Sequence, residues 1–108
     1  MAQTITTKSP KGFTQVATGR YLDTGTVAAY QFALGFKPRY VKVVNLSGLA
    51  SLEWFEGMSA ANALKEVTDG TKSKITSNGI TVDENGFTLG LDTDVNVSGE
   101  QVSFIAMR

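Results

Sequence analysis

The chain has 108 residues, and its ten acidic and ten basic residues give it a formal net charge of zero. Surfaces that bind nucleic acids or anionic membranes are rich in Lys and Arg, so this balance argues against both as partners. The chain contains neither Cys nor His, which excludes disulfides, thiolate metal ligands and the commonest general base. We therefore expect a single domain without a cofactor or a metal.

The N-terminal segment, residues 1–11, is polar and rich in Thr, with apolar Ile5 at its centre. Two interpretations remain open: a frayed terminus, or an extended arm that becomes ordered against a neighbouring subunit. Thr and Ile favour extended backbone, so an arm of this composition is suited to strand addition. The residues that would bind the partner in this way are Thr4, Ile5, Thr6 and Thr7. Residues 12–108 then form the single domain.

Export and membrane insertion are not indicated by the sequence. No window approaches the about 20 apolar residues of a membrane span. The N-terminus lacks the apolar core that a signal peptide needs. We therefore expect the protein in a cytoplasm, or in a particle that is assembled there.

Alternation of apolar and polar residues predicts the first strands of the domain. Residues 12–22 alternate loosely, and we expect a strand that is broken near Gly19. The Asp, Thr and Gly at positions 23–25 predict a turn. Residues 26–34 predict a clearer strand, because Tyr30 and every second residue around it place bulky side chains on one face.

A sharp corner is predicted at Gly35-Phe36-Lys37-Pro38, before a strand that we expect to be interior. Pro fixes its own φ and disfavours helix at the residue before it, and Gly can adopt a positive φ. Residues 39–46 are apolar on both faces near their middle, as interior strands are. Lys37, Arg39 and Lys42 form a small basic cluster, which we interpret as a solvated edge. The alternative is a contact of Lys37 and Arg39 with an anionic partner.

Residues 51–58 predict a strand whose aromatic side chains project from both faces. We interpret Trp54 as a core residue and Phe55 as a residue on the sheet surface. The alternative is a surface on which aromatic rings stack against a glycan. The candidate residues for that surface are Tyr21, Tyr40, Trp54 and Phe55.

Residues 59–67 have the periodicity of a short helix. Ser59 is a suitable cap, and apolar residues follow at spacings of three and four. A helix of about nine residues is unstable alone and must pack against the sheet. An irregular crossover is the alternative interpretation.

The C-terminal third is rich in turn signals. Asn78-Gly79 and Asn85-Gly86 predict hairpin turns, because both residue types tolerate a positive φ. Short strands are predicted at 74–77, 80–82, 87–89, 95–97 and 101–107. With seven or eight short strands in total, the predicted fold is all-β, an antiparallel β-sandwich or jelly roll.

Catalytic chemistry finds little support, and we expect a protein that is not an enzyme. The chain has no Gly-x-Ser-x-Gly motif, and an isolated pair such as Ser73-Lys74 is common by chance. Asp92-Thr93-Asp94-Val95-Asn96 resembles the start of a calcium loop, but Val97 stands where such a loop needs Gly. A polar loop between strands is the simpler interpretation.

Four segments spread over about residues 27–107 resemble small β-rich virion proteins of tailed bacteriophages. These segments are Gly35-Phe36-Lys37-Pro38-Arg39-Tyr40-Val41-Lys42-Val43-Val44-Asn45, Leu52-Glu53-Trp54-Phe55-Glu56-Gly57-Met58, Asn78-Gly79-Ile80-Thr81-Val82 and Gly86-Phe87-Thr88-Leu89-Gly90. The resemblance implies a capsid decoration or cement protein that staples neighbouring capsid subunits through its arm and its sheet edges.

The partners implied by the resemblance are the major capsid protein and other copies of the chain, as a dimer or a trimer. The implied location is the virion, on the outside of the head. Related β-modules occur in tail fibres, so the alternative function is a carbohydrate-recognition module of a phage fibre or spike.

Overall fold

The computed structural model describes residues 15–22 and 26–108, which form an eight-stranded antiparallel sheet. The strands are β1 (Val16–Leu22), β2 (Tyr30–Ala33), β3 (Tyr40–Asn45), β4 (Ser51–Phe55), β5 (Asn62–Glu66), β6 (Lys72–Asp83), β7 (Gly86–Leu89) and β8 (Gln101–Met107). Their order across the sheet is β1-β8-β3-β4-β5-β6-β7-β2. No helix occurs in the two described ranges, and the all-β prediction is confirmed. The predicted turn at 23–25 and the predicted arm lie outside these ranges.

The sheet curls so that its two halves face each other across one core. Phe104 on β8 lies near one end of the strand order, and Phe32 on β2 and Phe87 on β7 lie at the other. The three rings nevertheless meet, with the Phe104 centroid 4.6 Å from that of Phe32 and 5.2 Å from that of Phe87. Aromatic pairs at such distances contribute about 0.5–1.5 kcal/mol beyond their burial. The two halves therefore pack as the layers of a sandwich do.

The corner before β3 and the interior position of β3 are as predicted. Gly35 has a φ of 83°, and Pro38 is fully buried. β3 pairs with β4 on one side and with β8 on the other. Its inner face carries Val41, Val43 and Asn45, all fully buried. The other face of the strand points away from the core, and we call this side of the sheet the outer face.

The predicted helix over residues 59–67 is wrong, because this window forms β5. Ala63 is fully buried whereas Leu64 beside it is exposed, so the two side chains lie on opposite faces of the sheet. β4 and β6 offer hydrogen bonds along both edges of this segment, and such bonds outweigh the marginal stability of a helix of about nine residues. Ser59, the expected cap, instead accepts a hydrogen bond through its carbonyl from Trp54 Nε1 at 3.4 Å.

The hairpin predicted at Asn78-Gly79 is also wrong, because both residues lie inside β6. Asn78 does adopt a positive φ, 61°. However, neighbouring residues of β5 pair with Ile75 and with Ile80, so residues 76–79 form a bulge and the chain does not reverse. The sequence thus predicted the positive φ of Asn78 correctly, but pairing of β6 with β5 made this residue part of a bulge and not of a hairpin turn.

A hairpin forms next to the predicted Asn85-Gly86 turn and connects β6 to β7, but its two loop residues are Glu84 and Asn85, because Gly86 already pairs with Asp83 as the first residue of β7. The Asp83 carboxylate supports it, because Oδ1 accepts the backbone N–H groups of Asn85 at 2.8 Å and Gly86 at 2.9 Å. A short polar side chain that bonds to the backbone two residues on is a common device in such turns.

Three other predicted strands differ in extent. β1 runs unbroken through Gly19, because β8 pairs with it without interruption and Phe104 lies directly opposite Gly19. The strand predicted for residues 26–34 is confined to β2. No strand forms at 95–97, because the Asp92 carboxylate accepts a backbone N–H of this segment at 3.2 Å and closes a turn.

Candidate partner-binding surface

The two basic residues predicted to contact a partner lie at one corner of the sheet, beside the connection between β2 and β3. Lys37 Nζ is 3.8 Å from the Glu84 carboxylate, and Arg39 Nε is 3.5 Å from that of Glu56. All four side chains are well exposed. Exposed ion pairs contribute about 0–1 kcal/mol each, so these charges are available to exchange partners at low cost.

Gln15, the first described residue, lies at the same end of the sheet as Arg39, with β8 between the two. The Arg108 backbone N–H donates to the Gln15 carbonyl at 2.9 Å, and the Arg39 N–H donates to the carbonyl of Met107 at 2.7 Å. Arg39 and Arg108 also line one shallow pocket of about 270 Å³. The arm residues Thr4, Ile5, Thr6 and Thr7 themselves lie outside the described residues.

Two of the four residues that were candidates for stacking against a glycan do not lie on the outer face. Trp54 is buried on the inner face, as the core interpretation predicted. Tyr21 is also on the inner face, and its ring packs 4.3 Å from that of Tyr30 and 5.9 Å from that of Phe32. Neither residue presents a ring to the outer face.

The other two candidates, Tyr40 and Phe55, stand side by side on the outer face. They are directly opposite in the register of β3 and β4, with ring centroids 5.0 Å apart. The Tyr40 hydroxyl donates to Glu53 Oε2 at 2.7 Å. Burial, the hydrogen bond to Glu53 and the charge of that carboxylate, in this order, raise the pKa of Tyr40 to about 12. The outer face thus carries an aromatic pair, exposed Phe55 and half-buried Tyr40, with an adjacent carboxylate.

We expect the Tyr40 phenol to ionise near pH 12 in the native protein and at lower pH in the Glu53→Gln variant. The neutral amide removes the negative charge that opposes the phenolate. Since the folded-state pKa is raised, the contribution of Tyr40 to stability is present below pH 10.0 and is lost as the pH rises towards 12. Ultraviolet titration of phenolate measures this, with Tyr40→Phe assigning the signal. Superimposable curves for the native protein and the Gln variant would contradict the role of Glu53.

The outer face also carries an apolar surface along β3 and β8. Val44, Leu46 and Ile105 line a shallow cleft of about 250 Å³ there, and Leu46 is exposed. Contiguous exposed apolar surface on a small protein commonly marks an interaction site. Period-two patterning had placed Val44 and Leu46 on one face, but only the curl of the sheet shows that this face points outward.

A buried polar cluster holds the connection between β7 and β8 against the sheet. Lys65 Nζ lies 2.8 Å from Asp92 Oδ1 and 2.7 Å from Asp94 Oδ2, and the Lys65 and Asp92 side chains are only 13% and 7% exposed. Burial lowers the pKa of Lys65, but the hydrogen bonds and charges of the two carboxylates outweigh it and leave the pKa raised. The Lys65 ammonium thus sits where the calcium-loop resemblance would place a cation.

Asn45 extends this cluster at the end of β3. Its Nδ2 donates to the Asp94 carbonyl at 3.0 Å and to Glu100 Oε1 at 2.7 Å. Its Oδ1 accepts the N–H groups of Ser47 and Gly48, both at 2.9 Å. Sequence reasoning missed the cluster, because the contacts that bring Lys65, Asp92, Asn45, Asp94 and Glu100 together join residues 27 to 55 positions apart and carry no local signal.

No family model, curated protein sequence or solved structure matches the chain. Within the described ranges, no helix is long and apolar enough to cross a bilayer. In the same part of the chain, no group of three or more Asp and Glu residues is placed to hold a metal ion. The described residues thus offer three surface features: the charged corner at Arg39, the Tyr40–Phe55 pair and the apolar cleft on the outer face.

Proposed function

We propose that the protein is a non-enzymatic structural component of a tailed-phage virion, a decoration or cement protein that binds the outside of the head. The observation that best supports this is the exposed basic pair of Lys37 and Arg39 at one corner of the sheet, where each charge is only weakly paired. Arg39 and Gln15 bond to the adjacent residues Met107 and Arg108 on opposite sides of β8. The basic pair and the arm, which precedes Gln15 in the chain, would therefore act from the same end of the sheet. Both would reach the same neighbouring subunit.

In this proposal, Thr4, Ile5, Thr6 and Thr7 add as a strand to an edge of the major capsid protein. Backbone hydrogen bonds then supply affinity, and alternate side chains supply specificity. Lys37 and Arg39 exchange their exposed ion pairs for carboxylates of the capsid subunit. Apolar contact with the outer face adds about 25 cal/mol per Å² of buried area. Many copies on one lattice raise the overall avidity further.

Deleting residues 1–11 is expected to weaken head binding by about 10- to 100-fold while the fold stays intact. Each strand-addition hydrogen bond contributes about 0.5–1.5 kcal/mol, and the arm can make several. The measurement is co-sedimentation with heads of the phage that encodes the chain, after removal of their own copies of it. Circular dichroism of the isolated variant checks the fold.

The matched control replaces residues 1–11 with Gly and Ser at equal length, which keeps the chain length and removes the preference for extended backbone. We expect it to bind as weakly as the deletion. A deletion variant that binds heads as well as the full-length chain would exclude the arm. A full-length protein that does not co-sediment with heads would defeat the head-binding proposal itself.

A carbohydrate-recognition module of a phage fibre or spike is the second candidate, and the Tyr40–Phe55 pair favours it. Two adjacent rings on the outer face offer a platform for the apolar face of a sugar. The Glu53 carboxylate beside them can accept a hydrogen bond from a sugar hydroxyl.

If this second function holds, Phe55→Ala lowers the affinity for a glycan found on an array by about two- to tenfold, the range expected for one aromatic contact. Leu64→Ala is the control, since Leu64 is another exposed apolar residue of the outer face, located on β5. Equal affinities of the Phe55 variant and the native protein, or no glycan bound by the native protein, would rule out this candidate.

A further inference from the structure

β1 forms one edge of the sheet and presents a continuous row of backbone groups. It pairs with β8, and among the described strands no other pairs with it. The hydrogen bond from the Arg108 N–H to the Gln15 carbonyl fixes the phase of this ladder. Because bonds alternate along an antiparallel pair, the odd-numbered residues of β1 bond towards β8 and the even-numbered ones face outward. The outward residues are Val16, Thr18, Arg20 and Leu22.

This edge lacks the devices by which proteins usually prevent strand-to-strand association. Protected edges are short, or they carry Pro, Lys or inward-pointing charges. β1 is seven residues long, with no Pro, no Lys and a single Arg, whereas β2 at the opposite edge has only four residues. Val16 and Leu22, at the two ends of β1, are 50% and 55% exposed. Between two exposed apolar side chains, the strand therefore offers backbone hydrogen-bonding groups that none of the other described strands uses.

The outward-facing residues of β1 are arranged symmetrically around Gly19, apolar at the two ends and polar next to the centre. Val16 and Leu22 are apolar and lie three positions from it on either side, and polar Thr18 and Arg20 lie one position from it. Such a strand complements a second copy of itself in antiparallel orientation. A strand of an unrelated protein would not be expected to have a matching symmetric arrangement. The formal net charge of zero also removes long-range repulsion between copies.

We propose that two copies of the chain pair through their β1 strands, antiparallel, about a twofold axis at Gly19. Val16 then faces Leu22 of the second copy, and Thr18 faces Arg20 of the second copy. The exposed apolar ends cover each other on the outer face, and all outward backbone groups find partners. The two sheets become one continuous sheet across the axis.

Neighbouring registers are less favourable. An axis at Arg20 sets two guanidinium groups directly opposite each other, and like charges at such positions are destabilising. An axis at Thr18 sets Val16 against Arg20. Each of these shifts also leaves one outward residue without a partner within the described strand, Val16 in the first case and Leu22 in the second.

Gly19 is suited to the axis position. Residues that face each other there form a non-hydrogen-bonded pair, whose Cα atoms approach to about 4.5 Å. Gly19 has no side chain to oppose its counterpart, and its inner side is covered by Phe104, whose Cε2 would lie 2.6 Å from an added Cβ. The Phe104 ring thus fills the gap on the core side and leaves the backbone free to pair.

This pairing would be the contact through which copies of the proposed virion protein associate. In that sense the inference rests on the proposed function. Its tests use purified protein without heads. Loss of pairing with retained head binding overturns the pairing alone. Loss of head binding with retained pairing overturns the virion role alone.

Disulfide formation tests the register directly, because the native chain contains no Cys that could form another disulfide. The double variant V16C/L22C is expected to give a disulfide-linked dimer on mild oxidation, since opposed Cα atoms about 5.5 Å apart suit a disulfide. The two positions are six residues apart on one strand, about 20 Å, so they cannot join within one chain. V16C, L22C and T18C alone are expected to remain unlinked. Linkage of T18C alone, or none in the double variant, would overturn the register.

Sedimentation equilibrium tests the pairing without cysteine. The native protein is expected to dimerise, and Val16→Glu or Leu22→Lys alone to raise the dimer Kd by about tenfold, because each sets a charge against an apolar side chain. The double variant is expected to recover the native Kd, since each new carboxylate then faces a new ammonium. Leu64→Lys, an exposed position on β5, is the matched control and leaves the Kd unchanged. A monomeric native protein, or a dimer that neither single variant weakens, would overturn the proposal.

Discussion

Replacing Asp92 with alanine is expected to lower the free energy of unfolding by about 3–5 kcal/mol, the range for breaking a buried ion pair. The change leaves the Lys65 ammonium, only 13% exposed, without its more buried carboxylate. It also removes the acceptor of two backbone N–H groups, which close the turn after Asp92. Urea denaturation, followed by tryptophan fluorescence, measures the loss.

Asp94→Ala is the matched control, because Asp94 bonds to the same ammonium but is 52% exposed. We expect a loss of less than about 1 kcal/mol, as for surface ion pairs. The double variant Lys65→Met with Asp92→Asn should lose less stability than Asp92→Ala. It removes both charges and keeps an oxygen that can accept the turn N–H groups. Equal losses for Asp92→Ala and Asp94→Ala would show that burial does not set the strength of these contacts.

Asn45→Ala is expected to destabilise the fold by about 3 kcal/mol, because each buried polar group left without a partner costs about 1–3 kcal/mol. Asn45 is fully buried, and its amide bonds to four groups on two connections. Its loss releases both the turn after β3 and the segment before β8. Urea denaturation is again the measurement.

The control for this substitution is Asn85→Ala, the same change at an exposed turn residue. The effect there is expected within about 0.5 kcal/mol, as for most surface substitutions. Similar losses at the two positions would mean that the hydrogen bonds of Asn45 do not stabilise the native state as described.

The two clusters differ in what they imply for function. The buried cluster around Lys65 and Asp92 supports the fold, because its charges are paired with each other and hidden from partners. The charged corner at Arg39 carries exposed and weakly paired charges. Variants of the first should change stability, and variants of the second should change binding at nearly constant stability.

Strand positions were largely predictable from the sequence where the signal was local. Alternation identified β1, β3, β4 and β8, since successive side chains of a strand point to opposite faces whatever its partner is. The corner at Gly35 and Pro38 was predictable for the same reason, because both residues restrict their own backbone. Trp54 was correctly assigned to the core from its place in such a pattern.

The errors arose where the local signal fitted two structures. The window at 59–67 has helical spacing, yet the open edges of β4 and β6 made it a strand. Asn78 adopts the positive φ that its type favours, but pairing with β5 on both sides turned an expected hairpin into a bulge. In both cases hydrogen bonds to distant strands outweighed a preference worth little by itself.

By itself, the sequence determined the all-β class, most strand positions, the corner before β3 and the absence of Cys and His chemistry. These features follow from the composition of the chain and from the backbone preference of each residue type, neither of which depends on the tertiary structure. Only the tertiary structure decided which face of the sheet points outward, that Lys65 reaches Asp92, and that Asn45 reaches Glu100. Those contacts join distant parts of the chain, and they form because the curled sheet brings its strands together around one core.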